Sequence, residues 1–259
     1  MKITCLTENY TNNPLLRAEH GLSLYIETHD KKILFDMGQT DLFLQNANTL
    51  GVDLSQVDIA ILSHGHYDHG GGFSAFRKVN QTAPLYVSPY AFGSFYSDKY
   101  IGLPGEISAD FLLCPITQNT LLVNGITLYT VKDLPLDKTV GQGLWKKEKD
   151  TLVPDTFCHE IYLVIEENGK RILFSGCSHR GITHIAAYFH PDVLIGGFHF
   201  KKLDIQKDKD YLVKSAESLA KQTAQYYTCH CTGKEQYTLL KETLGDKLTY
   251  LSCGDTIIL

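Results

Sequence analysis

A chain of 259 residues, 43% hydrophobic and 20% charged, has an ordinary globular composition and enough length to bury one large core. Its formal net charge of −5 argues against a broad phosphate-binding face for nucleic acid. No uninterrupted apolar run is long enough to span a bilayer, the opening Met1-Lys2-Ile3-Thr4-Cys5 lacks an apolar signal segment, and seven scattered cysteines fit reduced thiols in a cytosolic protein better than a disulfide framework.

Residues 1–7 alternate as an edge strand would. Gly21 to Glu27 reads as a second strand, and His29-Asp30-Lys31 turns the chain into a third, Lys32 to Asp36, to make a hairpin. Asp41 to Leu50 carries Leu42, Leu44 and Leu50 at helical spacing and closes on Gly51. Val57 to Leu62 is an apolar, β-branched run of the kind buried on both faces of a sheet. Directly after it stands the densest chemistry of the chain, Ser63-His64-Gly65-His66-Tyr67-Asp68-His69-Gly70-Gly71-Gly72, with three imidazoles and a carboxylate in six positions. In an extended segment His64 and His66 share a side, and the following turn brings Asp68 and His69 round to a neighbouring centre. Imidazole suits zinc, iron or manganese, and a carboxylate beside it suits a divalent cation that keeps one position open for water.

From residue 88 to 157 the simple alternation is lost. Tyr90, Phe92, Phe95, Tyr96 and Tyr100 crowd this aromatic-rich insertion, which serves equally as a pocket wall or as core, and Val123-Asn124-Gly125-Ile126 makes a tight hairpin. The earlier plan then returns. Ile161 to Glu166, Glu167-Asn168-Gly169 and Lys170 to Cys177 echo the first hairpin, and Asp192 to His199 echoes Asp58 to His64, which predicts two β-rich halves within a single domain spanning 1–259. Residues 208–225 read as a helix leading into the strand Gln225 to Thr228, and a helix from Glu235 to Leu244 and a strand from Leu248 to Leu251 close the chain.

His-x-His-x-Asp-His after a hydrophobic strand resembles the metal-binding signature of the metallo-β-lactamase-fold hydrolases. The resemblance implies an α+β fold, a four-layer αββα sandwich with the site at the shared rim of its halves. It also implies two divalent cations, zinc or else iron or manganese, with His64 and His66 on the first and Asp68, His69 and His230 on the second. Asp36, ending its strand before Met37-Gly38, matches the family's first-motif aspartate, which acts by fixing a ligand histidine. Where the family usually has a bridging aspartate this chain reads Ser175-Gly176-Cys177-Ser178-His179. His179 is the preferred third ligand of the first metal, His159 is its competitor, and Cys177 is a thiol able to bridge or touch the second. Arg180 and His199 are candidates to grip an anionic group. His20 could line the pocket, though a surface place is the preferred reading, and the two thiols of Cys229-His230-Cys231 are read as packing around His230.

Taken with Glu19-His20-Gly21-Leu22-Ser23, Phe35-Asp36-Met37-Gly38-Gln39, Gly196-Gly197-Phe198-His199 and His230-Cys231-Thr232-Gly233, these motifs look like the branch of dihydropterin-ribofuranosyl-aminobenzene phosphate synthases. That likeness implies a phosphorylated or pterin-like small-molecule ligand. The expected activity is hydrolysis of a phosphorylated or otherwise anionic substrate by a hydroxide held between two cations and oriented by Asp68. A pterin-related condensing enzyme and a metal-bearing metabolite-binding protein with little turnover are the alternatives. No nucleic acid or membrane partner is expected, and oligomeric state has no signature in the sequence.

Overall fold

The computed structural model describes residues 1–131 and 133–259. Its first seven strands are Lys2–Thr7 (β1), Ser23–Glu27 (β2), Lys32–Phe35 (β3), Ile59–Leu62 (β4), Leu85–Val87 (β5), Phe95–Tyr96 (β6) and Leu113–Pro115 (β7). Thr120–Val123 (β8), Ile126–Thr130 (β9), Trp145–Glu148 (β10), Thr151–Pro154 (β11) and Ile161–Glu167 (β12) follow. Lys170–Ser175 (β13), Val193–Gly196 (β14), Gln225–Thr228 (β15), Leu248–Tyr250 (β16) and Thr256–Ile258 (β17) complete the set. The α-helices are Leu42–Thr49 (α1), Tyr67–Gly70 (α2), Phe73–Val79 (α3), Ile182–Phe189 (α4), Lys209–Ala220 (α5) and Lys234–Leu244 (α6).

Two seven-stranded sheets run β17-β1-β2-β3-β4-β5-β7 and β8-β9-β12-β13-β14-β15-β16. In both, an antiparallel hairpin continues into parallel strands, with β3, β4, β5 and β7 matching β13, β14, β15 and β16. The internal echo in the sequence is therefore an echo in strand order and direction. The inner faces meet in one apolar layer that includes Ile33, Phe35, Ile61, Leu163, Ile172, Phe174 and Ile195, all essentially without solvent contact. At about 1.5–3 kcal/mol per fully buried side chain, this layer is the main force holding sheet on sheet. The outer face of the first sheet packs on Phe43 of α1 and Phe76 of α3, that of the second on α4, α5 and α6 through Ile185, Leu212 and Leu240. The result is the expected α+β sandwich of four layers.

Several expectations about individual elements change. The first strand is interior, because β17, unread in the sequence, pairs with it. The helix expected over 208–225 spans Lys209–Ala220 and so ends five residues earlier. The stretch 88–157 is shared out: β7 joins the first sheet, β8 and β9 join the second, and β6, β10 and β11 form a small sheet of their own. No helix among the described residues is long and apolar enough to cross a membrane.

Candidate metal centre at the shared rim

Parallel strands end together, and that places the site. Asp36 follows β3, the histidine loop follows β4, and Cys177 with His179 follows β13. His199 comes after β14, and His230 and Cys231 come after β15. Carboxyl ends of parallel strands are where layered α/β structures gather functional loops. Asp36, Ser178, His199 and His230 all adopt left-handed backbone, with φ of 61°, 57°, 57° and 51°. Such conformations cost about 1–3 kcal/mol each in non-glycine residues and persist where the surroundings enforce them.

Asp36 is fully buried and ties the loop together. Its carboxylate accepts from the Ser63 amide and hydroxyl, both at 2.7 Å, and lies 2.6 Å from His69 Nδ1. The Ser63 hydroxyl is in turn 2.8 Å from His64 Nδ1. With Nδ1 engaged, each ring presents Nε2 forward, where His64 Nε2 lies 3.1 Å from His66 Nδ1 and His69 Nε2 lies 3.2 Å from Cys177 Sγ. Asn9 does the same for His230, with its Oδ1 2.9 Å from Nδ1. Gly176 allows this closeness, since a Cβ there would strike the Ser63 hydroxyl.

Ligand atoms of His64, His66 and His179 lie within 4.8 Å of one another, as do those of His64, His69 and Cys177, and those of His20, Asp68 and His230. Asp68 Oδ2 is 3.2 Å from His20 Nε2, 3.3 Å from His230 Nε2 and 4.0 Å from His69 Nε2. His20 is exposed, as the preferred reading had it, and also lines the pocket, as its alternative had it. His66 Nε2 and both ring nitrogens of His179 are buried without a hydrogen-bond partner. Buried polar atoms are rarely left unpaired, so this concentration makes a candidate place for an ion.

The protonation states fit that ion. Burial, reinforced by neighbouring imidazoles, holds His64, His66 and His179 well below the ordinary histidine value, so they are neutral and able to ligate. For His69 burial is outweighed by the Asp36 and Asp68 carboxylates, which raise it to about 9 in the metal-free protein. Asp68 is likewise desolvated, yet His69, His20 and His230 hold its carboxyl well below the usual range. Between the two thiols, burial pushes Cys177 up, whereas contacts with Cys177 and His199 overcome burial and hold Cys231 down.

Two sequence expectations fall away. Arg180 does not line the cavity: its two terminal guanidinium nitrogens donate to the Thr156 carbonyl at 2.7 Å and to that of Leu134. Cys231 is not mere packing, since it lines the cavity with Cys177 and His199. His159, the competitor of His179, has both ring nitrogens engaged, Nδ1 by the Gly65 amide at 3.0 Å and Nε2 by Asp155 at 2.9 Å. Aromatic rings wall the histidines, with Phe157 stacked on His179 at 4.6 Å and Phe95 set 4.2 Å from His159.

The pattern of the metallo-β-lactamase superfamily matches residues 16–217. The chain belongs to this superfamily. It is 30% identical to 7,8-dihydropterin-6-methyl-4-(β-D-ribofuranosyl)-aminobenzene-5'-phosphate synthase of Methanocaldococcus jannaschii, over 99% of this chain and 96% of that protein. Among solved structures, Tm1679, a metal-dependent hydrolase of the β-lactamase superfamily, is 26% identical with a TM-score of 0.85, covering 100% of this chain and 99% of that one. Zinc-bound PqqB from Methylobacterium extorquens, at 12% identity and a TM-score of 0.62 over 100% of both chains, shares the fold.

Proposed function

We propose that the protein is a hydrolase that holds two divalent cations, with zinc the expected ion, and cleaves a small phosphorylated or otherwise anionic substrate. The unpartnered nitrogens of neutral His66 and His179, lining the same cavity as the ionised Asp68 carboxylate, carry this reading. His64, His66 and His179 would hold the first cation, and Asp68, His69 and His230 the second, with the Cys177 thiol beside it. When bound, the pair supplies Lewis acidity and activates water near neutral pH. Asp36 and Asn9 keep His69 and His230 in the ligating tautomer, and Asp68 orients the attacking water. The cavity, about 140 Å³, suits the reacting group and not the whole of a larger substrate. Lys99, Lys201 and Lys202 line its mouth and supply the positive charge that Arg180 does not.

Likeness to the archaeal synthase favours a second reading, a pterin-related condensation on the same cations. Reaction in ¹⁸O-labelled water separates the two, combined with metal analysis and a screen of phosphoesters, lactones and pterins. The hydrolase reading expects label in the product and loss of turnover on chelation. A product without solvent oxygen sinks it in favour of condensation, and tight metabolite binding without product points to a binding protein.

A further inference from the structure

Three neighbouring parallel strands, β13, β14 and β15, each release one soft or borderline ligand just past their ends: Cys177 after Ser175, His199 after Gly196, and Cys231 after Thr228. Their ligand atoms lie within 4.8 Å of one another. Backbone bonds lock the three tips in register, from the Gly197 amide to the Gly176 carbonyl at 2.9 Å and from the Lys201 amide to the Cys231 carbonyl at 2.9 Å. Gly197 is needed there, because a Cβ at this position would strike the Cys231 sulfur. The ring nitrogens of His199 are buried and the ring meets the Cys231 thiol, on a residue whose backbone is held left-handed.

We propose that Cys177, His199 and Cys231 form a further cation site, selective for a thiophilic ion and adjoining the histidine-rich centre. Thiolates prefer zinc, cadmium or cuprous ions over magnesium, calcium or manganese. Two sulfurs and one imidazole leave a fourth tetrahedral position open toward the cavity. Cys177 also stands 3.2 Å from His69 Nε2, so its sulfur links this site to the centre assigned above. The inference stands on the second sheet alone and does not need the hydrolase reading.

The test titrates metal-free protein with Co²⁺ and, separately, Cd²⁺, following bound equivalents and sulfur-to-metal charge-transfer absorption. Cys231→Ser and His199→Gln should each bind one equivalent less than the unaltered chain. Both should lose most of the sulfur band while keeping the visible cobalt absorption of the histidine centre. His66→Ala should do the reverse. Should Cys231→Ser fail to fold, as judged by circular dichroism, His199→Gln decides. Unchanged stoichiometry and an unchanged sulfur band in the folded variants would overturn the site. A visible cobalt spectrum indifferent to His66→Ala would instead count against the histidine centre and leave the sulfur site standing.

Discussion

In the first half of the molecule one loop after β4 carries His64, His66, Asp68 and His69; in the second half Cys177, His179, His199, His230 and Cys231 are spread over three strand tips. The sheets behind them share strand order and direction. Concentration therefore is not demanded by the architecture, which offers comparable tips on both sides. The first half prearranges its groups by local hydrogen bonds around Asp36, whereas the second relies on the alignment of adjacent strands.

The largest effects should come from removing one group on each side. His66→Ala and His179→Ala should each bring turnover to background and lower the number of bound cations, read by metal analysis and steady-state assay. Full activity in His179→Ala would show that the dispersed half adds nothing to the chemistry. Phe174→Ala, in the layer joining the halves, should destabilise by about 3–5 kcal/mol in urea unfolding, and a smaller loss would mean that the sheets can close over the gap. Asp36→Asn should weaken cation affinity about 10–100-fold with little change in fold. An equal effect from replacing Asn9 with Ala would show that the dispersed side is as dependent on such supports.

The pH response tests the loop itself. His69 moves from 6.5 to about 9 in the folded, metal-free protein, because Asp36 and Asp68 prevail over burial. A raised value means that the folded state binds the proton more tightly. Its stabilisation is complete below about pH 6.5 and is lost as pH climbs to about 9. A cation must displace that proton, so cation affinity should rise over the same interval. Metal-free melting temperature and cation Kd should both fall as pH rises across this interval, and a flat melting profile would contradict the paired carboxylates. The smallest effect belongs to the rim. Lys201 and Lys202 are exposed, so the double alanine variant should raise KM for an anionic substrate only a few-fold, matching about 0.2–1 kcal/mol per surface pair. That difference should fade at high salt.

Legibility followed the same division. The loop after β4 announced itself because its ligands are contiguous, and Asp36 could be found from its strand-end position. His179 and His230 needed the family likeness. Cys231 escaped because a Cys-His-Cys run without a second pair has no local meaning; its partners are 32 and 54 positions away, at His199 and Cys177. Arg180 was misjudged for the opposite reason. Standing next to His179 in sequence, it is turned by the chain onto two carbonyls. His20 and β17 likewise depend on remote segments, Asp68 for one and β1 for the other.

The left-handed residues at the strand tips carry one more implication. At Asp36, Ser178, His199 and His230, glycine would adopt the observed backbone with less strain. The relief would be undone at Asp36, whose carboxylate is the buried tie for Ser63 and His69, so the strain endures because the side chain that bears it also holds the loop together.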